Sequence, residues 1–504
     1  MGPLDDDTKP PRPGRGLLVR ALIGAVLIFA CSAATIASAG LLEVDQLISI
    51  VKSESAPIPG IEGALDNVPA GKPQTILVLG SDRRFVDIKE KNPVRSDTIL
   101  LVRLDPSRGV TAVMSIPRDL KVQIPTRNGI VTDKINAAYA LGGPSLSVKT
   151  VKSLLHIPIS HVVNVNFGGF QRAVNRLGCV YVDVDRDYFN DNHPPNGSPF
   201  DYATININPG YQKLCGSDAL DYVRYRHFDN DLIRAARQQS FLSAAKEQIG
   251  LGRIFGDREE LLRIFGRYTQ TDIVRQNTSA ILRLLKLAFE ASKNPIREVH
   301  FRGDIGPTYV TIGPNNLRKT IQEFSEGRAS NGPRETAPAA RSSRARRKAS
   351  RRSAGLPHGV VFSRVEAENF VASASARLSF PLYFARARLS GGHYLYGRPR
   401  VYDIYDRAQR RYRAYRIVAS TGLQGQYYGI QGTSWRSPPI LDNPSATIRL
   451  RGRRYQLFND GNRYALVSWR TPRAVYWVSN TLSRSLTNSQ MLAIARSLSR
   501  VGER

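Results

Sequence analysis

TILVLGSD, residues Thr75–Asp82, decides the fold class. Its apolar run is short and continuous and closes on Gly80-Ser81-Asp82, the pattern of a buried strand followed by a tight turn. Two more strands follow, Asp97–Leu104 (DTILLVRL) and Val110–Ile116 (VTAVMSI), joined by the turn Asp105-Pro106-Ser107-Arg108-Gly109. Helix signals lie at Asn136–Ala140 and at Pro144–Leu155, where Gly143-Pro144 opens the second helix. Strands are expected at His161–Asn166 and Val180–Val184, with a helix over Phe167–Leu177 between them. A long helix is expected over Asp231–Ile249, weaker ones over Arg258–Phe265 and Asp272–Ala291, and a last strand over Glu298–Phe301. Such alternation predicts an α/β fold, a three-layer domain with a central mixed sheet between helices, over residues 73–325.

Upstream, residues 21–44 run apolar as far as Glu43, long enough to cross a bilayer core of roughly 30 Å. Lys9, Arg12, Arg15 and Arg20 precede this segment. The positive-inside rule then leaves residues 1–20 as a cytoplasmic tail and exports the rest, with the cell membrane as location. Two alternatives compete with the anchor: a signal-peptidase site at Ala37-Ser38-Ala39, and a lipoprotein-like box at Ile28-Phe29-Ala30-Cys31. The anchor is preferred because the apolar run continues through Leu41, Leu42 and Val44. Residues 45–72, polar and rich in Pro and Gly, read as a stalk. Residues 326–358 read as a disordered basic linker, and residues 359–504 as a small α+β domain of unknown role. In that domain strands are expected at Val401–Tyr405, Tyr415–Ala419 and Ala474–Val478, and the capping box Thr487-Asn-Ser-Gln490 opens a terminal helix. Its Trp435, Trp469 and Trp477 are read as core aromatics, with a sugar-stacking surface as the alternative.

The net charge of +30 asks for an anionic partner. All three N-terminal readings export the chain, so the partner is an anionic wall polymer or lipid, and nucleic acid is excluded. Cys31 lies in the apolar run, which leaves Cys179 and Cys215 as an exported pair that favours a disulfide, with two unrelated buried thiols as the alternative.

Three groups of residues have chemical potential. Asp82 and Asp97 sit at strand ends, where two carboxylates can hold Mg²⁺ beside phosphate oxygens; ordinary turn and cap aspartates are the plainer reading. Arg118, in Ile116-Pro117-Arg118-Asp119, also lies at a strand end. Arg224 and Arg226 share a face if extended, and Arg234 and Gln238 share a helix face. Guanidinium binds phosphate bidentately and stays charged, so two such prongs suit a pyrophosphate; a solvated basic helix is the rival reading.

The ordered blocks GSD, RSDTILLVRLD, SIPRDLKVQIP, KINAAYALGGP, HVVNVNFGGF, ALDYVRYRHFDND and RAARQQSFL closely resemble the LytR–CpsA–Psr family across residues 73–250. The resemblance implies a Mg²⁺-dependent enzyme, with Mn²⁺ as the alternative ion. It implies transfer of a phosphoryl-linked glycopolymer from a polyprenyl-pyrophosphate carrier to a peptidoglycan acceptor, leaving a phosphodiester and polyprenyl phosphate. It also implies an apolar tunnel for the polyprenyl chain. On the matching positions it makes Asp82 and Asp97 the metal ligands. Arg95, Arg118, Arg224, Arg226, Arg234 and Gln238 become the pyrophosphate-binding set, and the arginines from Arg118 onward act with Asp97 in catalysis. A non-catalytic lipid- or wall-binding protein, or a pyrophosphatase on the same fold, remains the alternative.

Overall fold

The computed structural model describes residues 48–50, 52–69, 72–81, 96–191, 204–225, 229–248, 257–281, 283–284, 287, 296–330, 356–371, 373–450 and 452–501. At 97, 231, 242, 246, 258, 296 and 365 it describes the backbone. The expected tail and anchor (1–44) and most of the expected linker (331–355) lie outside these residues, as do Asp82, Arg95 and Arg226. Among the described residues no helix is long and apolar enough to cross a membrane. The chain forms two compact units, one from residue 15 to 351 and one containing residues 352–504.

Besides a short two-stranded pair (Asp304–Ile305 with Val310–Thr311), the described strands of the first unit are β1 (Gln74–Ser81), β2 (Ser96–Asp105), β3 (Val110–Ile116), β4 (Lys121–Thr126), β5 (Gly129–Lys134), β6 (His161–Asn166), β7 (Val180–Val184), β8 (Tyr188–Asn190), β9 (Ile205–Ile207), β10 (Gly210–Leu214), β11 (Thr269–Thr271) and β12 (Ile296–Val299). Its helices include α1 (Ala137–Leu155), α2 (Phe167–Arg176), α3 (Gly216–Arg224), α4 (Asp231–Gln248), α5 (Arg258–Tyr268) and α6 (Pro314–Glu326). The central sheet is mixed, in the order β11-β6-β1-β2-β3-β12. β1 runs parallel to β6 and antiparallel to β2. The β2–β3 hairpin closes through Asp105, whose Oδ1 accepts from the Ser107 and Arg108 amides at 3.1 and 3.3 Å.

Both sheet faces are buried, which is why β1 and β2 read as continuous apolar runs instead of alternating ones. Leu77, Leu79, Ile99, Leu101 and Met114 join α1 (Val148, Val151, Leu155) and Phe324 of α6 in one core. Leu100 and Val102 point the other way. Thr98 shares their face and accepts a hydrogen bond from Gln238, which puts α4 on that side. Helices therefore lie on both faces of a mixed sheet.

α1 fuses the two expected helices. Gly142 and Gly143 leave helical geometry, Gly143 at φ 64°, and Pro144 restarts the helix at a position where its missing N–H costs nothing. The stalk reading of residues 45–72 is corrected over the described part. Ile58, Ile61 and Ala64 are buried in the core with β1 and α1. Asp66 accepts from the Ile159 amide at 2.8 Å and pairs with Lys152 at 2.9 Å. The Pro and Gly content resembles a linker, yet apolar residues spaced three apart give this segment one buried side. Cys179 and Cys215 are joined in a disulfide that ties the turn before β7 to the start of α3.

The second unit is β-rich rather than an even α+β mixture. Its antiparallel sheet has seven strands: β13 (Arg400–Tyr405), β14 (Arg411–Ser420), β15 (Tyr427–Thr433), β16 (Ala446–Leu450), β17 (Arg453–Asp460), β18 (Arg463–Arg470) and β19 (Val475–Ser479). They lie in the order β13-β14-β15-β19-β18-β17-β16. Helices α7 (Arg364–Val371) and α8 (Asn488–Arg496) pack on one face of it through Ala367, Val371, Met491 and Ile494. The Thr487–Gln490 capping box opens α8, both of its hydrogen bonds being formed. Trp469 and Trp477 are fully buried, Trp469 stacking on Tyr476 with ring centroids 5.1 Å apart. The three tryptophans are core residues, and the sugar-stacking alternative falls.

Candidate active site

The C-terminal ends of parallel β1 and β6 define one edge of the central sheet, and those expected site residues that the structure describes gather there. Gly80 pairs with Thr98 and Ser81 with Ser96, so Asp97 is the extra residue of a β-bulge. Ser96 Oγ pins the bulge by donating to the Gly80 and Thr98 carbonyls at 3.2 and 2.9 Å. Bulges re-aim side chains beside active sites, and the residue that follows β1 in the chain is Asp82. On the far side of β2, Ile116 pairs with Ile99, two residues from Asp97. β3 thus delivers Pro117-Arg118 to the same edge, and Arg118 is only 5% exposed.

The helices supply the other half. Asn166, the last residue of β6, pairs with Ser81 and caps α2 by accepting from the Gly169 amide. The Arg224 guanidinium lies over the ring of the next residue, Phe167, at 5.8 Å, and its Nε donates to Asp221 at 3.0 Å. Gln238 bridges the groups: its Nε2 donates to Thr98 Oγ1 at 3.3 Å and to the Val223 carbonyl at 3.1 Å. That one amide ties the start of β2, beside Asp97, to the end of α3, beside Arg224. Arg234 sits one turn before Gln238 on α4 and is 4% exposed. Asp97, Arg118, Arg224, Arg234 and Gln238 therefore belong to one edge of the fold. The structure does not describe Asp82, Arg95, Arg226 or the Asp97 side chain. Among the described residues no group of three His, Cys, Asp or Glu is arranged to hold a metal.

A buried charge network beneath this edge is not foreseen from the sequence. The Asp229 side chain, fully buried, accepts from Arg186 at 2.7 Å and also pairs with Arg237. Arg237 in turn donates to the Tyr225 carbonyl. Both guanidiniums lie against Tyr188, at 4.5 and 4.7 Å, and Tyr188 donates to Asp185 at 2.6 Å. Burial alone would raise the Asp229 carboxyl, but Arg237 and Arg186 hold it below the ordinary carboxylate range. Asp185 goes the other way, raised by burial despite Arg186 and the Tyr188 hydroxyl. The network clamps both ends of the segment between α3 and α4, which carries Arg226. The Asp229 and Arg237 letters are visible in the sequence, but Arg186 is 43 residues upstream of Asp229 and carries no local signal.

A cavity of about 570 Å³ opens at the opposite edge of the sheet, lined by Gln74, His161, Asp272 and Arg275 among others. His161 Nδ1 lies 2.8 Å from Asp272, whose other oxygen accepts from the Val162 amide at 2.8 Å. Arg118, Arg224 and Arg234 are not among its described lining residues.

The LytR_cpsA_psr family matches residues 49–310, more than half of the 504 residues, and the chain belongs to that family. Among its relatives is the polyisoprenyl-teichoic acid–peptidoglycan teichoic acid transferase TagU of Oceanobacillus iheyensis, 32% identical over 262 residues, covering 50% of this chain and 74% of TagU. TagT of Bacillus subtilis, of the same named activity, is 37% identical over 170 residues, covering 34% of this chain and 51% of TagT. An uncharacterized Staphylococcus aureus protein is 31% identical over 219 residues, covering 43% of this chain and 52% of its own length. The chain thus spans about half the length of the last two. The crystal structure of B. subtilis TagV is 28% identical with a TM-score of 0.39, covering 51% of this chain and 97% of that one. The second unit lies beyond the family match.

Proposed function

We propose that the first unit transfers a phosphoryl-linked glycopolymer from a polyprenyl-pyrophosphate carrier to peptidoglycan. The observation that carries this reading is the Gln238 bridge, which gathers Arg224, Arg234 and the Asp97 bulge at one sheet edge within the family match. The relatives TagU and TagT, named as teichoic acid transferases acting on peptidoglycan, support it.

In the reaction an acceptor hydroxyl attacks the phosphorus bonded to the glycan. The bond from that phosphorus to the bridging oxygen breaks, polyprenyl phosphate leaves with the electron pair, and the hydroxyl proton passes to solvent or to a base. Arg118, Arg224, Arg226 and Arg234 neutralise the diphosphate and stabilise charge developing on the leaving phosphate. Mg²⁺ suits the two carboxylates, Asp82 after β1 and Asp97 in the bulge beside it; when bound it would supply further charge neutralisation at the diphosphate. The bulge is the feature that suits the pair, since it brings a carboxylate-bearing residue to the end of β1. We further propose that residues 21–44 anchor the chain in the cell membrane with both units outside the cytoplasm.

The test is incubation of the full chain with a synthetic polyprenyl-pyrophosphate glycan, Mg²⁺ and peptidoglycan chains, followed by mass analysis. A phosphodiester-linked product is expected, absent with Arg234→Ala. Release of free glycan phosphate alone would make the chain a pyrophosphatase, and an unchanged donor would leave it a binding protein.

A further inference from the structure

The second unit has an arginine surface that the catalytic reading does not use. Between residues 356 and 501 the sequence has twenty-two arginines, six carboxylates and no lysine. Part of this charge is concentrated at one sheet edge, where the β16–β17 hairpin reads Arg449-Leu450-Arg451-Gly452-Arg453-Arg454. β16 is the edge strand, and Arg449 lies directly opposite Arg454. Like charges placed opposite each other across two strands destabilise a sheet. Nothing in the core requires the pair, because both side chains are exposed.

The next strand extends the row. Arg449 alternates with Ile448 and Leu450, and Arg454 with Tyr455, all of which pack toward α8. Both arginines therefore point from the other face. Gln456 shares that face with Arg454, and Arg470 of β18 donates to Gln456 at 3.3 Å. Arg470 also donates to the Arg436 carbonyl, which brings a fourth exposed arginine alongside. Three neighbouring strands, about 4.8 Å apart, thus carry one continuous basic row. Asp442 is the carboxylate within Coulombic reach of Arg470. Among the described residues no carboxylate forms an ion pair with Arg449, Arg454 or Arg470.

We propose that this row, Arg449, Arg454 and Arg470 with Arg436 beside them, is a binding site for a linear phosphodiester glycopolymer. A line of guanidiniums crossing three strands suits a chain of repeated phosphates, each of which guanidinium can grip with two parallel hydrogen bonds. A bilayer surface fits less well, because the exposed large apolar residues of this unit, Val361, Phe362, Tyr396, Tyr405 and Leu423, lie outside β16–β18. Single-stranded nucleic acid would call for exposed rings on which bases stack, whereas Tyr455, Trp469 and Trp477 are buried. The site stands apart from the transfer reaction: a chain that bound polymer without transferring it would still satisfy it.

The test uses the full chain in detergent and lipid-free poly(glycerol phosphate), with phosphatidylglycerol vesicles and single-stranded DNA as separate arms. Arg449→Ser/Arg454→Ser/Arg470→Ser is expected to lower polymer affinity at least tenfold. It should also reduce the slope of log affinity against log salt by roughly two to three, one for each lost phosphate contact. The all-lysine triple variant should keep the salt slope and part of the affinity, and polymer should raise the thermal midpoint of the parent more than that of the serine variant. Arg234→Ala should bind polymer through the second unit as the parent does, which separates this site from the catalytic one. Unchanged affinity and slope in the serine variant would overturn the proposal. So would a loss confined to the vesicle or DNA arm.

Discussion

Asp229 is the residue on which the candidate site rests most heavily without belonging to it. Its carboxylate is buried between Arg186 and Arg237, and removing one partner of such a group leaves uncompensated charge, at a cost of about 3–5 kcal/mol. Asp229→Asn should therefore lower stability by that order in denaturant unfolding. By contrast Arg224→Ala and Arg234→Ala should keep the parent midpoint to within a few degrees while slowing transfer about 10²–10³-fold. Equal unfolding in all three would mean that the arginines are structural. The pH dependence carries a sign. The folded Asp229 carboxyl lies below its unfolded value near 3.9, so its contribution is fully present above about pH 4 and is lost as pH falls through the folded value. Unfolding measured between pH 2 and 6 should show this acid-side loss in the parent and not in Asp229→Asn. At this scale the sequence was informative about charge type and poor about depth. Arg224, Arg234 and Gln238 stand out because phosphate chemistry favours guanidinium in clusters. Arg186 does not, because its partners are contributed by a different part of the chain.

Among the elements, segment 48–69 and the disulfide make the strongest claims. Ile58 and Ile61 are fully buried against the sheet, and burying one such side chain contributes roughly 1.5–3 kcal/mol. A first unit begun at residue 73 should accordingly be less stable than one begun at residue 45, by roughly 3–6 kcal/mol for these two side chains alone. Similar midpoints for the two would show that the segment adds nothing. The disulfide closes a loop with a sequence separation of 36, for which chain entropy gives about 4 kcal/mol. Cys179→Ser with Cys215→Ser should lower unfolding stability toward that amount, and full labelling of both thiols in the untreated parent would contradict the bond. The strands and helices were legible because period and turn chemistry agree locally, as in β1–β3 and the two halves of α1. The Asp97 bulge was not, since an extra residue in a ladder shows only once the partner strand is known. Segment 48–69 was obscured by its prolines and glycines, which mark a turn and a linker alike.

For the whole molecule, the distinguishing question is whether the arginine edge recognises a phosphate attached to a long lipid. A soluble phosphate-binding protein would respond to the head group alone. An enzyme that takes a polyprenyl carrier must shelter the chain as well, and each buried CH₂ is worth about 0.8 kcal/mol. The expected outcome is that polyprenyl phosphate stabilises the full chain in detergent more than either inorganic phosphate or the uncharged polyprenol does. At a hundredfold excess over its dissociation constant a ligand adds about 2.7 kcal/mol. In a domain of this size that is roughly 5–10 °C in the thermal midpoint. Arg224→Ala combined with Arg234→Ala should bring the phosphate and the polyprenol to the same smaller shift, because the head-group contacts go while the apolar ones stay. The Arg449, Arg454 and Arg470 variants should leave the lipid shift untouched, since the polymer row lies in the other unit. If polyprenyl phosphate moves the midpoint no further than inorganic phosphate, the first unit does not bind the lipid chain. Transfer from a polyprenyl carrier would then lose its physical basis, while the arginine edge would stand as a phosphate site only.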